Sequence, residues 1–397
     1  MFKVDQSRSE SPSSTLEIPA SLMQKILDKT NDVGAVINES ISNIQRNKEK
    51  YRSEIKDLLC HEKIVERMDL TVCGIDGSYI VERLLGTDLL FSCALFTEGI
   101  FSKLGQQDQQ QQQSISSLDN YGVFVHPEKH DEENALLARA IMLQMEIKLA
   151  SSAPFDVIYI DGSLTTALIH MYKAVNMIKD NDSLGSKKIK DDFEEFLSNY
   201  KKILLGESDN DKDHYSNNNK IWLGIPKYTS RNDIGQRLNW PSVYDDRAIL
   251  TMVLETGEYT KPLLFTNEEG WHHNLPYQND TLEELMGDVI YGIRKLHVVY
   301  YKPHPWSPAI RIELPFYIAE DKNKLEILLH NIKCQCEIPS IMEPFPLYMA
   351  DRIAKKISPA ISAYKQIIIN QLINEPGQHE KDILFMMHSY RTESGYN

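Results

Sequence analysis

Two segments of this chain share one arrangement: Val72-Cys73-Gly74-Ile75-Asp76-Gly77-Ser78 and Ile158-Tyr159-Ile160-Asp161-Gly162-Ser163. In each, an apolar run ends on a carboxylate, with glycine directly after it. An unpaired carboxylate is costly to bury, so an Asp at the tip of a buried strand faces a cleft, a cation or backbone donors. The glycine allows a sharp turn and lets a phosphate backbone come close. A plainer alternative is an Asx-turn, in which each Asp accepts from the amides that follow it. A third carboxylate, Glu146, sits in a stretch that is apolar nearly all round (Leu136, Ala140, Ile141, Met142, Leu143, Met145, Ile147, Leu149), so it cannot easily point into water. Its ordinary partners would be Arg139, Lys148 or a neighbouring strand. The sharper reading joins Glu146 to Asp76 and Asp161 around hard cations. Mg²⁺ and Mn²⁺ prefer carboxylate oxygen and need no His or Cys. Such a trio suits a two-metal site for in-line phosphodiester hydrolysis.

Other chemistries find less support. His272 and His273 have no third ligand at useful spacing, and His304 lies between prolines as a turn residue. Ser78 and Ser163 lie outside any GxSxG, which argues against a serine hydrolase. Neither GxxxxGK[ST] nor GxGxxG occurs, so nucleotide-driven work would need a partner. Cys334 and Cys336 form a lone CxC among five scattered cysteines, which suits neither structural zinc nor a disulfide framework.

The elements that must position these groups can be read from periodicity. Residues 1–16, rich in Ser, Glu and Pro, read as a disordered lead-in. Residues 17–68 read as an N-terminal helical segment, with apolar residues three and four apart from Leu22 to Leu59. That segment is a brace on the core or a partner-binding arm. From Asp69 three apolar or alternating runs predict an antiparallel meander, with the Gln tract GQQDQQQQQSISS as a flexible hairpin loop. A helix over Asp131–Ala150, the strand Val157–Ile160 and a helix over Thr165–Ile178 follow. Farther on come a helix near Asp191–Leu205, the strand IWLGIPK and helices at Asp245–Leu254 and Leu282–Arg294. The paired strands HVVYYKP and PAIRIELPF precede three helical runs at Lys322–Asn331, Leu347–Ile357 and on to Ile373. This order predicts an α/β fold with a mixed β-sheet flanked by helices.

Composition sets the outer bounds. The 397 residues, 42% hydrophobic and 25% charged, suit a globular protein with a sizeable core. No apolar run approaches the roughly 18–20 residues of a bilayer span, and the polar N-terminus lacks a secretory signal, so a cytoplasmic, reduced protein without a membrane segment is expected. Forty-three basic against fifty-seven acidic residues give −14, which on average repels nucleic acid. A nucleic-acid partner must therefore be met by a local basic surface or a metal-filled cleft.

Taken in order, CGIDGSY, the Glu-bearing helix before DVIYIDGSL, GIPKYTSR, the HVVYYKP…IRIELP pair and MEPFPLYMADRIA resemble the NurA nucleases, from about Asp69 to Ile357. The resemblance implies an RNase H-like fold over residues 69–376, with flexible insertions at about 103–120 and 180–219 and a C-terminal tail at 377–397. It implies manganese or magnesium, two ions, held by Asp76, Glu146, Asp161 and Asp351, the last where relatives have His or Asp. It implies Lys227, and more weakly Arg231 and Arg311, as phosphate-binding groups. Arg311 could equally pair with Glu313 or Asp351. Glu343 stands where some relatives have Tyr, so the resemblance gives it no role. A homodimer is implied, with DNA fed by a HerA-type hexameric translocase in end processing for DNA repair or phage defence. The rival expectation is a non-catalytic adaptor of a translocase that keeps the fold.

Overall fold

The computed structural model describes residues 19–63, 70–100, 120–178, 183–206, 220–228, 231–265, 279–375 and 379–388. The chain divides into two compact units, residues 1–53 and 54–397. The first unit holds helix α1 (Ala20–Arg46) and most of α2 (Lys48–Glu54). Along α1, Leu22, Ile26, Val33 and Ile37 stand about half exposed.

The second unit is built on one sheet. Its strands are β1 (Leu59–His61), β2 (Val72–Arg83), β3 (Asp88–Glu98), β4 (Tyr121–Glu128), β5 (Val157–Asp161), β6 (Ile221–Ile225), β7 (Glu258–Thr260), β8 (Leu263–Leu264), β9 (His297–Tyr301) and β10 (Ile310–Leu314). They lie in the order β1-β7-β9-β10-β6-β5-β2-β3-β4, with β8 beside β9. The expected meander is present as β2, β3 and β4, antiparallel in sequence. At the centre β5 runs parallel to both β2 and β6. β10 closes antiparallel on β6 and carries β9 beside it.

The helices, in chain order, are α3 (Asn134–Ser152), α4 (Thr166–Met177), α5 (Leu184–Asp191), α6 (Phe193–Leu205), α7 (Asp233–Leu238), α8 (Asp246–Val253) and α9 (Asp280–Arg294). After β10 come α10 (Phe316–Ala319), α11 (Lys322–Gln335), α12 (Phe345–Ala354), α13 (Ile357–Ile373) and α14 (Glu380–Met386). Several starts are fixed by side-chain caps. Asp245 accepts from Ala248 N, Asn279 from Leu282 N, and Asp321 from Asn323 N and Lys324 N. Alternating strand residues split the core between two faces. Ile75, Ile158, Ile160 and Trp222 pack against α3, α6 and α9, whereas Val157, Tyr159 and Leu223 meet α11 and α12. This is the mixed α/β sandwich expected of the sequence, and no described helix is long and apolar enough to cross a membrane.

Three boundaries differ from expectation. Residues 59–61 form an edge strand paired with β7, because Leu59–His61 is short enough to be set by its neighbour and not by helix periodicity. Within the expected insertion 180–219, residues 184–205 are two helices. Phe193, Phe196, Leu197 and Tyr200 are buried in the main core, so this stretch is part of the fold. Helix α14 lies in the expected tail. The Gln tract and residues 1–16 lie outside the described residues.

One contact sets how closely α12 approaches the sheet. A Cβ added at Gly74 on β2 would lie 2.6 Å from Leu347 N and from Pro346 C, both main-chain atoms. Thr97, the cross-strand partner of Gly74, donates its hydroxyl to Pro346 O at 2.6 Å. Gly74→Ala should therefore cost about 1–3 kcal/mol, the usual cost of overpacking. Gly287→Ala, in α9 where a Cβ meets nothing within 4 Å, should be neutral or stabilise by up to about 1 kcal/mol. Urea denaturation of both variants checks this, and equal midpoints would refute the close contact.

Candidate metal centre

The second IDGS segment closes β5, but the first lies inside β2. The strand tip expected at both holds for Asp161 and not for Asp76, because antiparallel pairing with β3 carries β2 on to Arg83 after β5 has ended. Ile75 pairs with Ile160, so Asp76 and Asp161 follow side by side, one residue beyond the last pair. Alternation turns both toward the face covered by α12, which carries Asp351. One carboxylate oxygen from each of Asp76, Asp161 and Asp351 falls within 4.8 Å of the others, and no other such group of His, Cys, Asp or Glu occurs among the described residues.

Glu146 arrives from the opposite face. It is 5% exposed on the buried helix α3, as its apolar surroundings predict. A Cβ on Gly77 would lie 2.6 Å from its Oε1, so only glycine after Asp76 leaves room for it. Gly77 N donates to Asp76 Oδ1 at 2.8 Å, which is the local turn contact weighed as the plainer alternative. That contact coexists with the cluster and does not replace it. After Asp161 the chain turns through Gly162, whose φ of 91° lies in the left-handed region that favours glycine.

A cation already stands among these groups. Lys227, two residues past the end of β6, places Nζ 2.9 Å from Asp161 Oδ2, 3.1 Å from Glu343 Oε2 and 3.4 Å from Asp351 Oδ1. Glu343 thus enters the cluster although the resemblance assigned it nothing. Its sequence signal was an acid inside the otherwise apolar run before α12. Arg231 goes elsewhere: its guanidinium stacks 3.8 Å above the Phe265 ring and reaches toward Asp233 at 3.9 Å. Arg311 pairs with Asp233 at 2.6 Å and with Glu313 at 3.2 Å, not with Asp351. His304 donates from Nε2 to Lys333 O and stacks on Trp306, and His272 and His273 lie outside the described residues.

Burial and crowding set the protonation. Burial, then the Asp161 charge, pushes the Asp76 carboxyl up to about 7 against the pull of Lys227. Burial also raises Asp161 and Glu343, each opposed by Lys227. Glu146 is raised well above the carboxylate range, by burial first and then by Asp76 and Asp161. Burial would raise Asp351 too, but Lys355 and Lys227 outweigh it and hold it below its ordinary value. For Lys227, burial disfavours the charge, yet Asp161, Glu343 and Asp351 more than compensate and its pKa rises. An all-oxygen, anionic pocket that holds an ammonium fits a hard divalent ion.

A carboxyl whose folded pKa is raised stabilises the fold while protonated and loses that contribution as pH climbs through the folded value. The chelated protein should therefore lose melting temperature between about pH 4 and 7, less so in Asp76→Asn. Excess Mn²⁺ should remove the loss, because it binds the ionised form. Melting curves with chelator and with Mn²⁺ check this. A chelated Asp76→Asn protein that declines as steeply as the parent would remove Asp76 as the cause.

The NurA domain profile matches residues 70–356. In three dimensions the chain is similar to the crystal structure of the NurA nuclease from Sulfolobus solfataricus, at 15% identity and a TM-score of 0.51, over 85% of this chain and 97% of that one. A crystal structure of NurA with manganese is similar at 15% identity and a TM-score of 0.53, over 89% of this chain and 99% of that one. At these identities the structural likeness bears on the fold. No curated protein sequence matches the chain. The profile, by contrast, spans well over half of the chain and takes in every residue of the carboxylate–lysine cluster, and the chain belongs to the NurA domain family.

Proposed function

We propose that this protein is a divalent-metal-dependent DNA nuclease whose active site is Asp76, Glu146, Asp161 and Asp351. The observation that carries this reading is the set of three carboxylate oxygens within 4.8 Å, with an ammonium in contact with two of those residues. Manganese is the preferred metal, with magnesium as the alternative, and a manganese-bound NurA crystal structure supports that choice. Two bound ions would supply Lewis acidity toward the phosphodiester and its attacking and leaving oxygens.

The chain's own groups do the rest. Asp76, inside β2, and Asp161, at the end of β5, hold their carboxylates on neighbouring strands, and α12 brings Asp351 over them. Asp76 surrenders the proton that burial leaves on its carboxyl near neutral pH. Glu146 presses on the same point from the far face. Lys227 neutralises the cluster, and with divalent ions held by the carboxylates its ammonium would be available to the substrate phosphate as a point charge. Arg231, turned onto Phe265, has no place in this scheme. Lys220 donates its ammonium to Ala153 O.

The wider setting rests on the resemblance. It comprises a homodimer, DNA ends fed by a HerA-type hexameric translocase, and a role in repair or phage defence. The lack of a phosphate-binding loop supports an ATPase partner. Five free thiols support a reducing, cytoplasmic compartment. The adaptor reading keeps one observation in its favour: a lysine fills the cation position.

Asp76→Asn and Asp161→Asn each remove a ligand charge and keep the shape. Loss of several kcal/mol of charge stabilisation lowers cleavage on the order of 100-fold or more. DNA binding should persist or tighten, since a negative charge facing phosphates has gone. Glu132→Gln, on the exposed turn before α3, should leave cleavage unchanged. End-labelled DNA digestion with Mn²⁺ decides between enzyme and adaptor; parent-like cleavage by both Asn variants would defeat the nuclease reading.

A further inference from the structure

Strand β10 reads Ile310-Arg311-Ile312-Glu313-Leu314, an alternation that suits a half-exposed strand, yet every one of these residues is buried. Arg311 is 0% exposed and Glu313 1%. Taking both charges out of water costs several kcal/mol each, and a well-packed apolar pair is commonly as stable or more so. Stability alone is therefore a poor reason for this pair, and its contacts point to another.

Glu313 has donors on both oxygens. Its Oε1 accepts from Arg311 Nε at 3.2 Å. Its Oε2 accepts from Ser163 Oγ at 2.7 Å and from Leu164 N at 2.9 Å. Ser163 and Leu164 are the second and third residues after Asp161. The side chain reaches them because Glu313 pairs with Gly224, whose missing Cβ leaves 2.9 Å to Gly162 O and to Leu164. Arg311 meanwhile ties β10 to the start of α7, through Asp233 at 2.6 Å, and to Tyr300 Oη at 2.7 Å. Nearby, Arg247 donates to Lys227 O and Ala309 O, fixing the main chain that carries the lysine.

We infer that Glu313 is a positioning residue for the metal site. It clamps the Gly162–Leu164 turn so that the carboxylate of Asp161 is presented in place, with Arg311 as its buried counter-charge. This inference rests on the proposed metal-dependent reading and deepens it. Only a carboxylate accepts on both sides. A glutamine at this position would turn its NH₂ toward either Arg311 or the Ser163–Leu164 donors, so one contact becomes donor against donor. Groups that orient a metal ligand typically weaken metal binding about 10–100-fold when lost.

The test is calorimetric titration of Mn²⁺ into the chelator-stripped full chain. Glu313→Gln should weaken binding about tenfold or more, and Ser163→Ala, which deletes one hydrogen bond, about three- to tenfold. Asp88→Asn is the control. Asp88 is equally buried, holds Asn134 and His130 at the far end of β3, and lies many residues along the sheet from the cluster. Its loss should lower the melting temperature and leave Mn²⁺ affinity within twofold of the parent. If Glu313→Gln does not fold, Ser163→Ala decides alone. A parent that binds Mn²⁺, with both folded site variants within twofold of it, overturns the inference and leaves the nuclease reading standing. A parent that binds no Mn²⁺ overturns the reading first, and this inference with it.

Discussion

Mutual repulsion among carboxylates is the constraint on which the rest of this fold turns. Asp76, Asp161, Asp351, Glu146 and Glu343 converge on one poorly solvated place, where unlike charges are strongly coupled and like charges strongly opposed. Such a cluster survives only if rigid elements fix it and something cationic sits in it. The rigid elements are two neighbouring parallel strands, a helix buried on one face and a helix seated backbone to backbone on the other. The cation is Lys227, held through its own carbonyl by Arg247. Without that lysine the metal-free protein would face the full repulsion.

Much of this was legible in sequence because the signals were local and strong. An apolar run that ends on Asp-Gly singled out both Asp76 and Asp161, but only Asp161 is a strand tip, since pairing with β3 carries β2 on past Asp76. The apolar circumference around Glu146 forced it inward. The meander, the helix over 134–152 and the β9–β10 pair all followed from periodicity. Asp351 and Lys227 came from resemblance to a family, since neither helix nor strand periodicity distinguishes a ligand from a surface charge.

What escaped was set by tertiary context. Arg311 and Glu313 alternate with Ile and Leu, the pattern of a strand with one wet face, so nothing local showed that both faces are covered. The short strands at 59–61 and 258–260 take their form from each other and not from their own residues. The helix near Asp191–Leu205 was legible, and comparison with the family set residues 180–219 aside as an insertion, yet the aromatics of that helix complete the core beneath α3. Arg231 was a weaker candidate than Lys227 for the same phosphate-binding work. The ring of Phe265, far off in sequence, draws it away. Glu343 was set aside because relatives differ there, and geometry alone restores it to the cluster.

The seat of α12 on Gly74 has a consequence for how this protein can evolve. Because the helix meets β2 through main-chain atoms of Pro346 and Leu347, its position does not depend on interlocking side chains at that contact. The exposed residues of α12, such as Arg352 and Ile353, are thereby released from the task of placing Asp351. That surface can change its charge, its shape or its binding partner through successive substitutions while the ligand stays where it is. Tolerance on the outside of the helix is secured by intolerance at a single hydrogen on the α-carbon of Gly74.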